Sequence, residues 1–200
     1  CTGDSARRIG NEYLFQTMAE QNRKTFDKYE FKKIVTQCPH CFSTLKNDYA
    51  EMGIELDVVH HSQFIDELIQ ENKIEPQPWV DEDVTFHDPC YLGRHNNEYD
   101  APRSVLQSVL RDGKIKEMEK TKIESFCCGA GGGNMWYEIK TGERINQNRV
   151  KQAVSTKANT VAAACNFCNI MLEDGVKTTQ NEENIKVLDI AEMVSQSLSK

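Results

Sequence analysis

Short apolar runs alternate with amphipathic segments along the chain. Six β-prone runs predict short strands, at residues 32–37, 54–59, 84–87, 114–118, 160–163 and 185–188. Helical spacing, capping residues and proline positions predict helices over residues 4–20, 39–53, 64–69, 101–110, 141–157, 166–175 and 189–198. Strands that alternate with helices predict an α/β fold with mainly parallel pairing, in which functional groups gather at the ends of the strands.

The same cysteine spacing occurs twice, 127 positions apart. Cys1 is followed 37 positions later by the CPHC sequence at 38–41, and Cys128 is followed 37 positions later by the CNFC sequence at 165–168. A β-prone run precedes each CxxC pair, and a leucine follows each pair at the same register. The two halves therefore read as one structural unit used twice.

This repeat divides the chain into two predicted domains. Residues 1–75 form a first, truncated cysteine-rich repeat, and residues 84–200 form a second, complete repeat. Residues 76–83, with two prolines and three acids, are the predicted linker between them. The chain opens on Cys1, in register with Cys128, which indicates a piece of a longer protein.

Charge and composition exclude several classes of function. The chain has 24 Lys and Arg against 31 Asp and Glu, a net charge of −7, so no basic surface is expected to bind nucleic acid or an anionic membrane. No apolar run approaches the length of a membrane span, and no signal peptide is present. Eight cysteines in 200 residues are too few for a secreted disulfide scaffold, which favours reduced thiols that act as ligands or redox groups in the cytosol.

Two kinds of sulfur chemistry explain only part of the cysteine pattern. A structural zinc site closes at four ligands and prefers CxxC pairs about 15–20 residues apart, whereas 123 residues separate Cys41 from Cys165. A thioredoxin-like dithiol enzyme has a strand followed by CxxC at a helix start, as at residues 38–41. Such an enzyme has no need of Cys90 or of the adjacent pair at 127–128. Both alternatives stay open.

An iron–sulfur cluster accounts for the whole second set of five cysteines. Such clusters take thiolates from separated loops. Adjacent residues on a regular helix or strand point apart, so Cys127 and Cys128 reach one cluster only if the backbone between them is irregular. The glycine-rich segment at 129–133 permits such a backbone and lets N–H groups approach sulfur.

These motifs resemble a known family. Cys90, the CCG sequence at 127–129 and the CNFC sequence at 165–168 resemble the cysteine-rich CCG motif of heterodisulfide reductase catalytic subunits. The iron–sulfur subunits of glycolate oxidase, anaerobic glycerol-3-phosphate dehydrogenase and lactate utilisation enzymes share it. The sequences HDPCYLGR at 87–94 and SFCCGAGGG at 125–133 are most similar to bacterial iron–sulfur oxidoreductases linked to acyl-CoA oxidation.

The resemblance implies a fold and a cofactor. The fold is α/β, with two similar halves that each hold a small, mainly parallel sheet and flanking helices. The cofactor is a [4Fe–4S] cluster of the noncubane type, and the implied ligands are Cys90, Cys127, Cys128, Cys165 and Cys168. The first set, Cys1, Cys38 and Cys41, departs from the motif because Thr2 follows the first cysteine. For that set a second cluster, zinc or no metal remain as alternatives.

The resemblance also implies an electron-transfer module of a larger oxidoreductase, inactive alone. The module would relay electrons between a flavoprotein and a quinone, or act on a disulfide through its cluster. The implied partners are a ferredoxin-like iron–sulfur domain and a flavoprotein or quinone-linked protein. The expected location is the cytoplasm, or the inner face of the membrane through parts outside this chain. The rival functions are a structural zinc-binding interaction module and a thioredoxin-like dithiol oxidoreductase.

A few other residues are candidates for roles near the cluster. His87 and His95 flank Cys90 and are candidate ligands or proton donors, with surface or capping roles as the alternative. Arg94 is a candidate for pairing with a substrate carboxylate, or is solvated. Trp136 and Tyr137 follow the glycines and are expected either to cover the cluster or to pack in the core.

Overall fold

The computed structural model describes residues 1–137 and 141–198. Within these residues, five short strands form two sheets in which every pairing is parallel. In the first half, β1 (Ile34–Thr36) pairs with β2 (Val58–His60). In the second half, the order is β3 (Val84–His87), β4 (Thr160–Ala163) and β5 (Lys186–Asp189). The predicted α/β fold, two halves each with a small parallel sheet flanked by helices, is confirmed.

The helices of the described residues follow the predicted order with several changes of boundary, and α5 is an additional helix that was not predicted. They are α1 (Asp4–Arg8), α2 (Glu12–Phe26), α3 (Pro39–Ser43), α4 (His61–Gln70), α5 (Gly93–Asn96), α6 (Asp100–Val109), α7 (Ile145–Ser155), α8 (Asn166–Thr178) and α9 (Ile190–Leu198). A π-helical turn over Thr44–Asp48 continues α3, and Gly53 ends this region in the left-handed conformation with a φ of 76°. Pro39 opens α3, where a missing N–H costs nothing.

The structure corrects three of the predicted elements. The helix predicted over residues 4–20 is two helices, because Gly10 has a φ of 85° and Asn11 caps α2 by accepting from the Leu14 N–H. The strand predicted at 114–118 is a single bridge between Ile115 and Val84. The helix predicted to end at Gly175 continues to Thr178, so that glycine lies within α8 rather than at its end.

The two halves pack against each other around a shared apolar core. One buried cluster includes Phe15 and Phe42 from the first half and Val84, Phe86 and Ile190 from the second. Helix α4 of the first half contacts α6 and α9 of the second. The predicted linker also packs on the second half, since the Trp79 indole donates to the Met193 carbonyl at 3.1 Å. The division of the chain into repeats at 1–75 and 84–200 stays a prediction.

The parallel strands direct their carboxyl ends toward the cysteines. Cys38 follows the end of β1 by two residues, Cys90 follows β3 by three and Cys165 follows β4 by two. In open parallel sheets this edge is where ligands bind. Among the described helices, none is long and apolar enough to cross a membrane.

Candidate metal centre

Three separate segments bring the second set of cysteines together. Cys90 lies in the turn after β3, and Cys165 caps the N-terminus of α8, whose first turn carries Cys168. Cys127 and Cys128 lie between a 3₁₀ turn over Lys122–Glu124 and the glycine-rich segment, where the backbone has no regular structure. The irregular backbone expected between these two cysteines is therefore present.

The five thiols form one continuous series of contacts. The Cys90 thiol interacts with the Cys127 thiol, and the Cys127 thiol interacts with that of Cys128. Cys128 is in contact with Cys168, and Cys168 is in contact with Cys165. Residues as far apart in the sequence as 90 and 168 therefore contribute sulfur to a single cluster of side chains.

Burial and hydrogen bonding set the protonation of these thiols. Hydrogen bonds from Cys128 and Cys90 lower the pKa of Cys127 well below its usual range. Its thiol also accepts the Gly129 N–H at 3.2 Å. The contact with Cys127 raises the pKa of Cys128 to about 12.

The same series continues at α8. A hydrogen bond from Cys168 lowers the pKa of the Cys165 thiol, and contacts with Cys128 and Cys165 raise the pKa of Cys168. Cys128, Cys165 and Cys168 are only 4%, 1% and 3% exposed. Neighbouring thiols, three buried and two half-buried, suit a metal with a strong preference for sulfur. The five thiols together exceed the four ligands of a structural zinc site. The donor set therefore fits an iron–sulfur cluster.

A buried ion-pair network fixes the loop that carries Cys90. Asp88 is 3% exposed and accepts from both terminal nitrogens of Arg103, at 2.8 and 3.0 Å. It also accepts from the Lys122 N–H at 2.8 Å and the Thr121 hydroxyl at 3.0 Å, just before the Cys127 segment. These bonds hold the Cys90 and Cys127 segments at a fixed distance from each other.

Arg94 and Ser125 add a second connection between the same two segments. Arg94 donates to the Ser125 carbonyl at 3.0 Å, and the Ser125 hydroxyl donates to the Asp88 carbonyl at 3.2 Å. Arg94 is exposed, in agreement with the solvated alternative, and its contact with the backbone was not foreseen. Sequence alone did not indicate it because the partner is a main-chain atom 31 positions away.

His87 lies against the thiols, whereas His95 does not. One ring nitrogen of His87 and the sulfurs of Cys128 and Cys168 all lie within 4.8 Å of one another. Burial and the neighbouring Arg149 lower the pKa of His87 to about 3. His95 instead stacks on Tyr91, with ring centroids 4.3 Å apart. Of the two histidines that flank Cys90, only His87 belongs to the site.

Arg149 is a residue of the site that the sequence patterns did not single out. Its side chain is fully buried at the base of the site and donates to His87 Nδ1 at 3.0 Å and to the Ser125 hydroxyl at 3.2 Å. The sequence contains a clue to this role, because Arg149 lies in register with the other buried positions of α7. Those positions are Asn146, Val150 and Ala153. An arginine at a core position of a helix is unusual enough to be a candidate.

The first set of cysteines is close to the second. Cys38 and Cys41 are in hydrogen-bond contact, and this contact with Cys38 lowers the pKa of Cys41 to about 6. Cys41 also accepts from the Thr2 hydroxyl at 3.7 Å. Cys165 is near enough to Cys38 to raise its pKa electrostatically, although the contact with Cys41 is the larger cause. The Cys1 side chain is exposed.

The aromatic residues after the glycines are exposed. Trp136 is 70% and Tyr137 68% exposed, so the expectation that they pack in the core is wrong. They lie at the end of a segment in which Gly132 and Gly133 have positive φ angles, which turns the chain outward. Trp136 lines a small cavity with Ala130 and Phe167.

The fold and the site define a class of protein: a cysteine-rich α/β domain that gathers thiolates from strand ends to hold a metal centre. The family model of the CCG cysteine-rich domain matches residues 1–46 and 84–173. The chain belongs to the CCG cysteine-rich domain family.

Several relatives match nearly the whole chain. It is 43% identical over 197 residues to the probable iron–sulfur-binding oxidoreductase FadF of Bacillus subtilis (strain 168), covering 98% of this chain and 28% of that protein. It is 44% identical over 201 residues to the EtfAB:quinone oxidoreductase of Syntrophomonas wolfei, covering 97% of this chain and 28% of that protein. A dihydromethanophenazine:CoB–CoM heterodisulfide reductase subunit of Methanosarcina barkeri is 35% identical over 204 residues, covering 99% of this chain and 49% of that protein.

These comparisons agree with the chemistry of the site. The chain spans less than a third of the first two relatives and about half of the third. The cysteine-rich domain and the similarity to an iron–sulfur-binding oxidoreductase support an iron–sulfur cluster as the cofactor.

Proposed function

We propose that this chain is an iron–sulfur electron-transfer module of a larger oxidoreductase. One [4Fe–4S] cluster of the noncubane type is held by Cys90, Cys127, Cys128, Cys165 and Cys168. The observation that carries this proposal is the continuous contact of these five thiols, drawn from three segments at the ends of parallel strands. A cluster of this kind supplies electron storage and release, with a potential set by charge, hydrogen bonds and solvent exposure.

The protein around the thiols performs three tasks in this proposal. It excludes water from Cys128, Cys165 and Cys168, which are nearly fully buried. It offers the Gly129 N–H to the Cys127 sulfur, which stabilises negative charge there. It also fixes the Cys90 loop through the Asp88 ion pair, so that the ligands do not have to be ordered when the cluster binds.

The names of the relatives support a choice of electron-transfer partners. We infer a relay between a flavoprotein and a quinone-linked partner, since one relative is named an EtfAB:quinone oxidoreductase. A ferredoxin-like domain feeds or drains the cluster, and the module works in the cytoplasm or at the inner face of the membrane. For Cys1, Cys38 and Cys41 the alternatives are a further cluster, zinc or no metal, and the contact between Cys38 and Cys41 supports a second metal site.

Metal analysis of anaerobically purified protein tests the cofactor. We expect a brown protein with visible absorption, about four irons per second-set site and matching acid-labile sulfide. A colourless protein with bound zinc would support an interaction module, and a colourless protein without metal would support a dithiol enzyme. Either result would overturn the proposal.

A stopped-flow experiment tests the relay itself. The iron-loaded protein is mixed with a reduced electron-transferring flavoprotein, and the visible absorption of the cluster is followed. We expect bleaching, and recovery of the absorption when a quinone analogue is added. The matched control is a Cys127→Ser variant, which should show neither. A wild-type cluster that the flavoprotein fails to reduce would contradict the relay but not the cofactor.

A further inference from the structure

Arg149 is a buried cation that donates to no carboxylate among the described residues. Its guanidinium is fully buried, and each acceptor it meets is neutral. These acceptors are His87 Nδ1 at 3.0 Å, the Lys120 carbonyl at 2.9 Å, the Gln152 side chain at 2.7 Å and the Ser125 hydroxyl at 3.2 Å. Buried charges are ordinarily paired, because removing an ion from water costs much free energy.

The sulfur site is the charge that can balance Arg149. Burial lowers the pKa of Arg149 to about 10, and the nearby Asp88, Cys168 and Cys128 oppose this effect electrostatically. The Asp88 carboxylate accepts from both terminal nitrogens of Arg103, which also pairs with Glu117, so both carboxylates direct their hydrogen bonds to Arg103 and not to Arg149. A metal centre with thiolate ligands would therefore supply the counter-charge that Arg149 does not receive from a carboxylate of its own.

The hydrogen bond from Arg149 also determines what His87 offers to the site. Because Nδ1 accepts the Arg149 Nε–H, that nitrogen carries no proton, and the proton of the ring is on Nε2. A nitrogen that carries a proton donates hydrogen bonds and cannot bind iron. One ring nitrogen of His87 lies within 4.8 Å of the sulfurs of Cys128 and Cys168. With Nδ1 engaged by Arg149, the nitrogen left to meet them is Nε2, which acts as a donor and not as a ligand.

We propose that Arg149 is a positioning residue for the cluster, and that it acts in two ways. It places a positive charge behind the cluster, and it orients His87 so that the Nε2–H donates to sulfur. Both effects favour the reduced state, which is more negative by one charge, so the pair raises the reduction potential. This inference rests on the proposed function, since it requires a cluster at the second set of cysteines.

Four variants separate these effects. Arg149→Met removes both the positive charge and the N–H groups that donate to His87 and Ser125. Arg149→Lys keeps the positive charge but loses the planar guanidinium group with its several N–H donors. His87→Leu removes the donor to sulfur, and His87→Gln restores an N–H. Lys151→Met is the matched control, because it removes one positive charge from the same helix at an exposed position.

The measurements are iron and sulfide per chain, the EPR spectrum and an EPR-monitored redox titration. We expect Arg149→Met to lower the ratio of reduced to oxidised cluster at least tenfold at a fixed potential, about 59 mV for one electron. His87→Leu should shift the ratio in the same direction with its iron content unchanged. Arg149→Lys and His87→Gln should shift it less, and Lys151→Met should leave it unchanged. In deuterated buffer, pulsed EPR should show an exchangeable proton near the cluster that His87→Leu removes.

Specific results would overturn the inference. Unchanged potentials in iron-loaded Arg149→Met and His87→Leu proteins would do so, as would an equal shift in Lys151→Met. Loss of iron from His87→Leu with an altered EPR spectrum would show that His87 is a ligand. If Arg149→Met fails to fold, Arg149→Lys and His87→Leu still decide the question. A wild-type protein without iron would refute the proposed function first, before any variant is compared.

Discussion

At the scale of single residues, Cys127 and Cys128 show how two neighbours serve one site. Gly129 adopts a φ of 98° and returns its N–H to the Cys127 sulfur, while Cys128 turns inward to Cys168. A side chain at position 129 would be strained at this φ, and its β-carbon would also lie 3.3 Å from both Ile145 and Met171. In the CCG sequence, the two cysteines therefore supply the sulfur atoms, and the glycine supplies a backbone conformation that other residues rarely adopt.

Replacing single cysteines tests the ligand set. Cys128→Ser should lose most of its iron or convert its cluster, because a buried hydroxyl is a poor ligand for iron in a site built from thiolates. Cys1→Ser is the control and should keep the second-set cluster, since its side chain is exposed. Iron analysis and EPR of the two purified proteins decide the matter. Equal iron and identical spectra in both would refute the assignment of Cys128.

The Asp88 ion pair provides a second prediction at this scale. Asp88→Asn should lower the free energy of unfolding by about 1–3 kcal/mol, because the neutral amide weakens the charge-assisted bonds that the buried carboxylate accepts, although Arg103 keeps its pair with Glu117. Asp81→Asn is the matched control, since the Asp81–Arg111 pair is about half exposed on both sides and such pairs contribute at most about 1 kcal/mol. Urea unfolding of the iron-free proteins measures both. Equal changes in the free energy of unfolding would show that the buried Asp88 pair contributes no more to stability than the exposed Asp81 pair.

At the scale of elements, the packing of α7 against α8 holds the base of the site in place. Helix α7 carries Arg149, and α8 begins at the CxxC pair. The two helices approach closely at Gly175, where an added methyl group would lie 2.8 Å from Val150 Cγ2 and 3.0 Å from the Asn146 carbonyl oxygen. Gly175 thus serves close packing within a helix, which explains why it does not end α8 as the sequence suggested.

This close approach predicts the effect of a single methyl group. Gly175→Ala should destabilise the protein by about 1–2 kcal/mol, because overpacking exceeds the gain in helix propensity. Gly131→Ala is the control, since an added methyl there meets no atom within 4 Å, and a change within about 0.5 kcal/mol is expected. Urea unfolding of iron-free protein tests both. A Gly175→Ala protein as stable as the wild type would mean that α7 and α8 separate easily.

At the scale of the whole molecule, the proposed cluster ties three distant segments into one folding unit. Metal–ligand free energy becomes folding free energy wherever the ligands come from separate segments. The glycine-rich segment after Cys128 has few other supports, since Gly132 and Gly133 depart from helical geometry and no residue at 131–136 is buried. By contrast, α4 packs on α6 and α9 and is far from the thiols in the sequence.

Hydrogen exchange on iron-loaded and iron-free protein tests this dependence. Loss of iron should increase exchange at residues 126–134 and at the start of α8, because their order depends on the ligands. The internal controls are α4 and the segment around Pro76 and Pro78, where exchange should hardly change. Equal protection of residues 129–133 in both forms would show that this loop is ordered without a cluster.

The sequence by itself determined the fold class and the grouping of the cysteines. Alternating short strands and helices require parallel pairing, and parallel pairing gathers the strand ends, so the positions of Cys38, Cys90 and Cys165 followed from local patterns. The irregular backbone between Cys127 and Cys128 could be inferred for the same reason, because adjacent ligands and neighbouring glycines leave little choice.

Only the tertiary structure decided what surrounds the sulfurs. Arg149, His87 and Ser125 meet because α7 packs beneath the strand ends, and these contacts join residues up to 62 positions apart. Similarly, the break at Gly10 and the contact of Arg94 with the Ser125 carbonyl depend on backbone conformation and main-chain partners. Periodicity reports which face of an element is buried, but not which atoms of another element lie against that face. The electrostatic environment of the site is therefore a property of the packed molecule.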